Sequence, residues 1–280
     1  MKTAKEIKTL VKEKYSEIAE QDPALNAVSC CGVDGCTTLD YSIFSEDYRD
    51  LDGYLASADL QLGCGMPVEF ARIAKGDTVV DLGSGAGNDV FVARAITGET
   101  GQVFGIDMTP VMIEKANANA KDLGVSNVHF RLGEIENIPM TADKADVVIS
   151  NCVLNLVPDK DKAFAEIHRI LKPGGHFCIS DVVLKGELPP AIKEAGEMYA
   201  GCVSGALQRR EFLGIIHDNN FQIVSIKAEK EIKIPDEILS KYMSAEELLA
   251  FRQSGTGIYS ITVYAEKEPA ACCDSNSGCC

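Results

Sequence analysis

The sequence predicts an α/β fold with a mostly parallel, seven-stranded sheet, and two features carry that prediction. Short apolar runs alternate with helix-spaced segments from about residue 76 onward. An intervening helix returns the chain to the same end of the sheet, so successive strands run parallel with right-handed crossovers. The first apolar run also ends in a glycine-rich turn that opens a helix, "DLGSGAGND".

The elements follow in order. "DTVVDLG" (77–83) is the first strand and "NDVFVARAI" (88–96) the first helix of the sheet region, with Asn88 or its neighbour as N-cap. "GQVFGID" (101–107) is the second strand. "TPVMIEKANANAKDLG" (109–124) reads as a helix with Thr at the cap, Pro at the first turn and Gly at the stop. "VHFRLG" (128–133), "ADVVISN" (145–151) and "GGHFCISDVV" (174–183) are strands, the last two separated by the helix "KDKAFAEIHRIL" (160–171), stopped by Lys172-Pro173-Gly174-Gly175. An insertion (186–208) reads as a helix and loop over the sheet edge; "RREFLGIIHDNN" (209–220) is another helix, and 221–234 and 257–267 are closing strands. Before the sheet, Ile7, Leu10, Val11, Tyr15 and Ile18 recur at helical spacing, and residues 1–60 form an N-terminal helix with a Cys-containing loop. The main domain is expected over 61–267, with a disordered Cys-rich tail at 268–280.

Composition narrows the function. Against 27 Lys and Arg stand 42 Asp and Glu, a net charge of −15, which disfavours nucleic acid or an anionic membrane as partner. The charged N-terminus has no signal-peptide core, and no apolar run reaches the about 18 residues of a membrane span, so a cytoplasmic location is expected. Thiols there stay mostly reduced. Eleven cysteines is an odd number, which points to ligand or redox work rather than a disulfide scaffold.

The glycine turn is the first candidate site. Gly83, Gly85 and Gly87 permit a tight turn and close approach to a ligand, which the first N–H groups of the helix then face. Asp81 precedes the glycines and Asp107 ends the second strand, where an acid grips ribose hydroxyls. An acid ahead of the glycines suits a ligand that carries its own positive charge, as S-adenosylmethionine does. With "GEIENIP" after the third strand, this pattern resembles the class I methyltransferases, Rossmann-like enzymes, across roughly 76–185. The resemblance assigns cofactor contacts to Asp81, Gly83, Ser84, Gly85, Gly87, Asn88, Asp107, Met108, Glu134 and Ile135, with Glu134 and Ile135 at the adenine and Asn151 near the methionine end.

Three single cysteines carry the second signal. Cys152 follows Asn151 at the C-terminal end of the fourth strand, the edge where open parallel sheets bind ligands. Cys64 lies in "LGCGMP" and Cys202 in "MYAGCVSGAL", each beside glycines. Each alone reads as a structural cysteine as readily as a ligand. Three converging sulfurs with no histidine suit a soft trivalent ion. The motifs "LGCG", "SNCVLNLVPDK" and "GCVSGAL" resemble arsenite methyltransferases over about 60–208. That resemblance implies that Cys64, Cys152 and Cys202 hold arsenic(III), taken from arsenite or its thiol conjugates, while S-adenosylmethionine supplies the methyl group, as arsenic detoxification. It further implies redox work for one of Cys30, Cys31 and Cys36, with thioredoxin or glutathione as reductant. Leu62 stands where the family often has an aromatic. His129, His168, His176 and His217 read as structural and Cys178 as core. Two other readings remain: a methyltransferase acting on a quinone or other small organic acceptor, and a non-catalytic thiol module that binds a metalloid or zinc.

Overall fold

The computed structural model describes residues 3–20, 46–190, 205–232, 236–240 and 243–270. Cys30, Cys31, Cys36 and Cys202, and the four cysteines of the tail, lie outside them. So does most of the insertion, and with it the helix and loop expected there.

The chain order is α1 (Ala4–Glu20), α2 (Pro67–Phe70), β1 (Thr78–Leu82), α3 (Asn88–Thr97), β2 (Gln102–Asp107), α4 (Pro110–Leu123), β3 (Val128–Leu132), β4 (Ala145–Asn151), a 3₁₀ turn (Leu154–Leu156), α5 (Lys160–Ile170), β5 (Leu171–Lys185), β6 (Leu207–Gln208), α6 (Arg209–Asp218), β7 (Phe221–Ile232), α7 (Asp236–Leu239), α8 (Ala245–Gln253) and β8 (Gly257–Lys267). Seven strands run in the order β3-β2-β1-β4-β5-β8-β7, and the two-residue β6 adds an eighth against β5. β1 to β5 are parallel, and β8 is antiparallel to both β5 and β7. Strand order reverses direction between β1 and β4, so the loops leaving those two strands splay apart and open a crevice.

Alternation builds the core on both faces. Val80, Leu82 and Val148 face the side covered by α5 and α6, where Phe164, Phe177 and Phe212 are fully buried. Each such ring contributes about 1.5–3 kcal/mol by burial. Val79, Val147 and Ile149 face α3 and α4 through Val90, Phe91 and Met112. A third cluster around Cys64 and Cys152 takes in Val11 of α1, Leu156, Val182 and Phe251.

Several boundaries differ from the sequence reading. α5 ends at Ile170, and Lys172 to Gly175 lie within β5 rather than in a stop loop. Register shifts from Ala145↔Leu171 to Val147↔His176, and Gly174 has φ 80°, so the Pro-Gly-Gly sequence makes an irregularity in the strand instead of ending pairing. Gly87, φ 101°, holds the N-cap position of α3, with Asn88 as its first residue. Thr109 makes no side-chain cap to α4; its own N–H donates to Asp107 Oδ1 at 2.8 Å. The short helices α2, α7 and α8 carry too little periodicity to be read from sequence. α8 is held by a capping box in which Ser244 and Glu247 satisfy each other's backbone N–H groups.

The N-terminal helix is part of the domain. Val11, Ile18 and Ala19 are buried and Lys115 of α4 donates to Ala19 O. Lys8 makes ion pairs with Glu134 at 2.8 Å and Glu136 at 2.9 Å, beyond β3.

Candidate active site

A cavity opens at the C-terminal ends of β1, β2 and β4. Its wall includes Asp81, Gly83, Ser84, Gly85, Asn88, Asp107, Met108, Ile135, Asn151 and Cys152. Sequence reasoning had singled out each of these. Gly87 and Glu134 do not line it. A Cβ on Gly87 would come within 2.8–2.9 Å of Phe91 and Phe130, so this glycine serves packing. Glu134 accepts Lys8 and is half-exposed, while its neighbour Glu136 reaches the wall.

The glycine turn follows from backbone strain. Gly83 and Gly85 have φ 73° and 51°, the left-handed region where a side chain is costly. A Cβ on Gly83 would lie 2.3 Å from Val153 Cγ2. Asp107 Oδ2 accepts the Gly85 N–H at 3.0 Å, tying the end of β2 to the turn.

Three of the carboxylates in this wall, Asp81, Asp89 and Asp107, have burial-raised pKa values. Burial drives the Asp81 carboxyl well above its ordinary range, and the charges of Asp89 and Asp107 add to the shift. Burial raises Asp89 to about 6, held there against hydrogen bonds from Tyr48 and Asn151 that favour its charge. Burial also raises Asp107, which backbone N–H donors partly offset. Such a wall favours a cationic ligand, whose charge returns the carboxylates to their ionised form. Ser84 Oγ and Asn88 Oδ1 are buried with no hydrogen-bond partner among the described residues, and both belong to the wall. Buried polar atoms of this kind suit a polar ligand that completes their bonding. The donor set therefore fits a polar ligand that carries a positive charge.

A network that sequence reasoning missed joins this wall to Cys64. Tyr48 Oη lies 2.7 Å from Asp89 Oδ1 and 3.0 Å from Gly65 O. Asn151 Nδ2 donates to Gly65 O at 2.7 Å and Tyr48 Oη at 2.9 Å, and approaches Asp89 Oδ2 at 3.2 Å. Asn151 Oδ1 accepts the Cys64 N–H at 2.9 Å. One asparagine thus fixes the Cys64–Gly65 backbone against the end of β4. A Cβ on Gly63 would come within 2.6 Å of Asn151 Nδ2, so only glycine leaves room for this bridge.

Cys152 has φ 60°, an uncommon conformation for a non-glycine residue, and its N–H donates to Ser180 O at 2.8 Å. The left-handed turn breaks the strand alternation directly after Asn151. Register places Asn151 opposite Ser180, so Cys152 and Asp181 follow as neighbours on adjacent strands. The sulfurs of Cys64 and Cys152 and a carboxylate oxygen of Asp181 all lie within 4.8 Å of one another, and all three residues are buried. Asp181 is raised to about 7 by burial, against backbone N–H donors and the charge of Lys160. An acid inside the apolar run "FCISDVV" was the available sign of Asp181, and an acid on the apolar face of "NDVFVARAI" that of Asp89.

Cys178 is fully buried in the core, its thiol pushed up to about 12 by burial. No histidine lines the cavity. His176 contacts Ala71 O, His129 contacts Gln102, His168 packs on Phe221, and His217 is exposed beside Asp218. Among the described residues no helix is long and apolar enough to cross a membrane.

A family model described as a methyltransferase domain matches residues 73–220. The arsenite methyltransferase of Halobacterium salinarum is 39% identical over 239 residues, covering 81% of this chain and 60% of that protein. The arsenite methyltransferase of Aquipseudomonas alcaligenes is 30% identical over 82% of this chain and 66% of its own length. The chain thus spans somewhat less than two thirds of these relatives. The crystal structure of an arsenic(III) S-adenosylmethionine methyltransferase from Chlamydomonas reinhardtii superposes with a TM-score of 0.63 at 36% identity, over 75% of this chain and 69% of that one.

Proposed function

We propose, since this chain belongs to the methyltransferase-domain family and within it to the arsenite methyltransferases, that it methylates trivalent arsenic with S-adenosylmethionine as donor. The observation that carries the reading is the shared wall: Cys152 lines the same cavity as Asp81, Gly83 and Asp107, and its sulfur lies within 4.8 Å of that of Cys64.

When bound, S-adenosylmethionine supplies an electrophilic methyl group on a sulfonium, which the lone pair of arsenic(III) takes without prior deprotonation. The glycine turn, Asp81, Asp107 and the Ile135–Glu136 segment hold the donor. Cys64 and Cys152, completed by Cys202, hold arsenic by three sulfurs, which is the coordination a soft trivalent ion prefers. Asn151 links the two halves through its bond to the Cys64 N–H. Leu156, Val182 and the other apolar neighbours of Cys64 and Cys152 exclude water from the arsenic. Positioning accounts for the rate, so the lack of a histidine in the wall is no obstacle.

Methyl transfer leaves arsenic oxidised by two electrons. We assign its reduction to thiols, with one of Cys30, Cys31 and Cys36 forming a disulfide that thioredoxin or glutathione reopens. Arsenic detoxification is the role such an activity serves.

The test is to incubate the protein with S-adenosylmethionine, arsenite and excess thiol, then to separate arsenic species and assay S-adenosylhomocysteine. Methylated arsenic formed in step with S-adenosylhomocysteine is the expected result. Cofactor binding with no methylated arsenic overturns the reading in favour of an organic acceptor.

A further inference from the structure

We propose that Cys64, Cys152 and Asp181 form a binding site for a divalent d¹⁰ cation, zinc or cadmium, so that this buried cluster, which meets the cavity at Cys152, accepts a borderline-soft metal as well as trivalent arsenic. It shares two cysteines with the arsenic reading but needs no methyl transfer.

The donor set is two sulfurs and one oxygen within 4.8 Å of one another. Metal–ligand bonds of about 2.3 Å to sulfur and about 2.0–2.2 Å to oxygen place tetrahedral donors roughly 3.5–4 Å apart. A small closing movement therefore brings the three onto one ion, and the larger cadmium asks for less. The carboxylate is already oriented. Asp181 Oδ1 accepts the Val182 N–H at 2.7 Å and Oδ2 accepts the Asn155 N–H at 3.1 Å. A carboxylate offers about four acceptor sites, so both oxygens keep capacity for a metal. These backbone bonds play the part that outer partners play in established metal sites.

Charge favours a cation here. Asp181 is fully buried. Lys160, whose charge acts on Asp181, donates its ammonium to Asn155 O and Val157 O. Binding of the ion displaces one proton from each thiol to solvent, and the carboxyl proton as well where it is held. Two thiolates and a carboxylate then neutralise the dication, leaving one excess negative charge near Lys160. Arsenic(III) selects sulfur over carboxylate oxygen. Asp181 is thus the residue that separates the two occupants.

The experiment uses the full chain with Cys30→Ser, Cys31→Ser, Cys36→Ser, Cys272→Ser, Cys273→Ser, Cys279→Ser and Cys280→Ser, which removes the thiols of the N-terminal and C-terminal segments and leaves Cys64, Cys152, Cys178 and Cys202. Cadmium chloride is titrated under reducing conditions and thiolate-to-cadmium absorbance recorded. The expected result is one equivalent bound. Adding Cys152→Ser should abolish it, and adding Asp181→Asn should weaken it by about ten-fold or more while arsenite affinity stays within about two-fold. Cadmium-edge X-ray absorption of the parent should report mixed sulfur and oxygen ligation, which keeps the question decidable if Asp181→Asn fails to fold. Unchanged cadmium affinity in Asp181→Asn, retention in Cys152→Ser, or an all-sulfur shell overturns the proposal. Methylated arsenic is assayed in parallel on the chain with all its cysteines. Cadmium binding without arsenic methylation removes the proposed function and leaves this site standing, and the converse removes only the site.

Discussion

Removing the Tyr48 hydroxyl should destabilise the protein far more at alkaline than at acidic pH. In Tyr48→Phe the ring stays buried and the apolar packing is kept. What is lost is the bond to Asp89 Oδ1 at 2.7 Å, together with the contact to Gly65 O at 3.0 Å and the acceptor for Asn151 Nδ2 at 2.9 Å. Asn151 Nδ2 retains Gly65 O at 2.7 Å and Asp89 Oδ2 at 3.2 Å, so no other partner is stranded. A hydrogen bond to a charged acceptor contributes about 1.5–3 kcal/mol, and one to a neutral acceptor about 0.5–1.5 kcal/mol.

Burial holds Asp89 at about 6 in the folded protein against an ordinary value of 3.8. The folded state therefore binds more protons than the unfolded state between those pH values. Asp89 costs nothing below 3.8, and its penalty grows as pH rises to about 6, reaching roughly 3 kcal/mol. Losing the Tyr48 bond raises the Asp89 pKa by about one further unit, since the charged form loses about 1–1.5 kcal/mol more than the neutral form and each 1.4 kcal/mol is about one pH unit. Urea unfolding at pH 5.0 and 8.5 measures the difference. The variant should lose about 0.5–1.5 kcal/mol at the lower pH and about 1.5–3 kcal/mol at the higher, with an unchanged dependence on urea. An equal loss at both values, or a larger one in acid, would refute the view that Tyr48 stabilises a buried charge.

Other expectations are as direct. Affinity for S-adenosylmethionine should rise between pH 5.5 and 7.5, because a cation draws Asp81 and Asp89 into their charged forms and releases protons; titration calorimetry in buffers of different ionisation heat reads that release, and proton uptake would contradict it. Cys152→Gly should be as stable as the parent or more so, since φ 60° costs a non-glycine residue about 1 kcal/mol or more, yet methyl transfer to arsenite should fall at least about a hundred-fold, a loss of about 2.7 kcal/mol in transition-state stabilisation. Retained turnover in that variant would remove the thiol from the site. Gly83→Ala should abolish cofactor binding and destabilise the fold by about 1–3 kcal/mol, because its Cβ would meet Val153 Cγ2 at 2.3 Å; thermal unfolding and cofactor titration check it. Lys8→Met should leave Glu136 buried without its ammonium and loosen α1, which faster proteolysis within residues 1–20 would report.

Much of the site was legible because its chemistry is local in sequence. The turn Gly83–Gly85, the acid Asp107 two elements later, and Cys152 at the end of "ADVVISN" each sit at a strand end. Parallel topology collects all such ends at one edge, so knowing the strands locates the ligand. Cys64 was legible through its flanking glycines, and the structure gives those glycines a reason: Gly63 clears Asn151, and a Cβ on Gly65 would lie 2.6 Å from Ser180 Oγ.

What the sequence determined by itself is the α/β order, the glycine turn and the strand-end residues, because hydrophobic period and backbone permissiveness act over a few neighbours. Only the tertiary structure decided the rest. Tyr48 meets Asp89 across 41 positions, Lys8 meets Glu134 across 126, and Ser260 donates to Cys64 O across 196. No local pattern encodes such pairs. They arise because burying a polar group demands a partner, and the fold supplies whichever one the packed chain brings within reach.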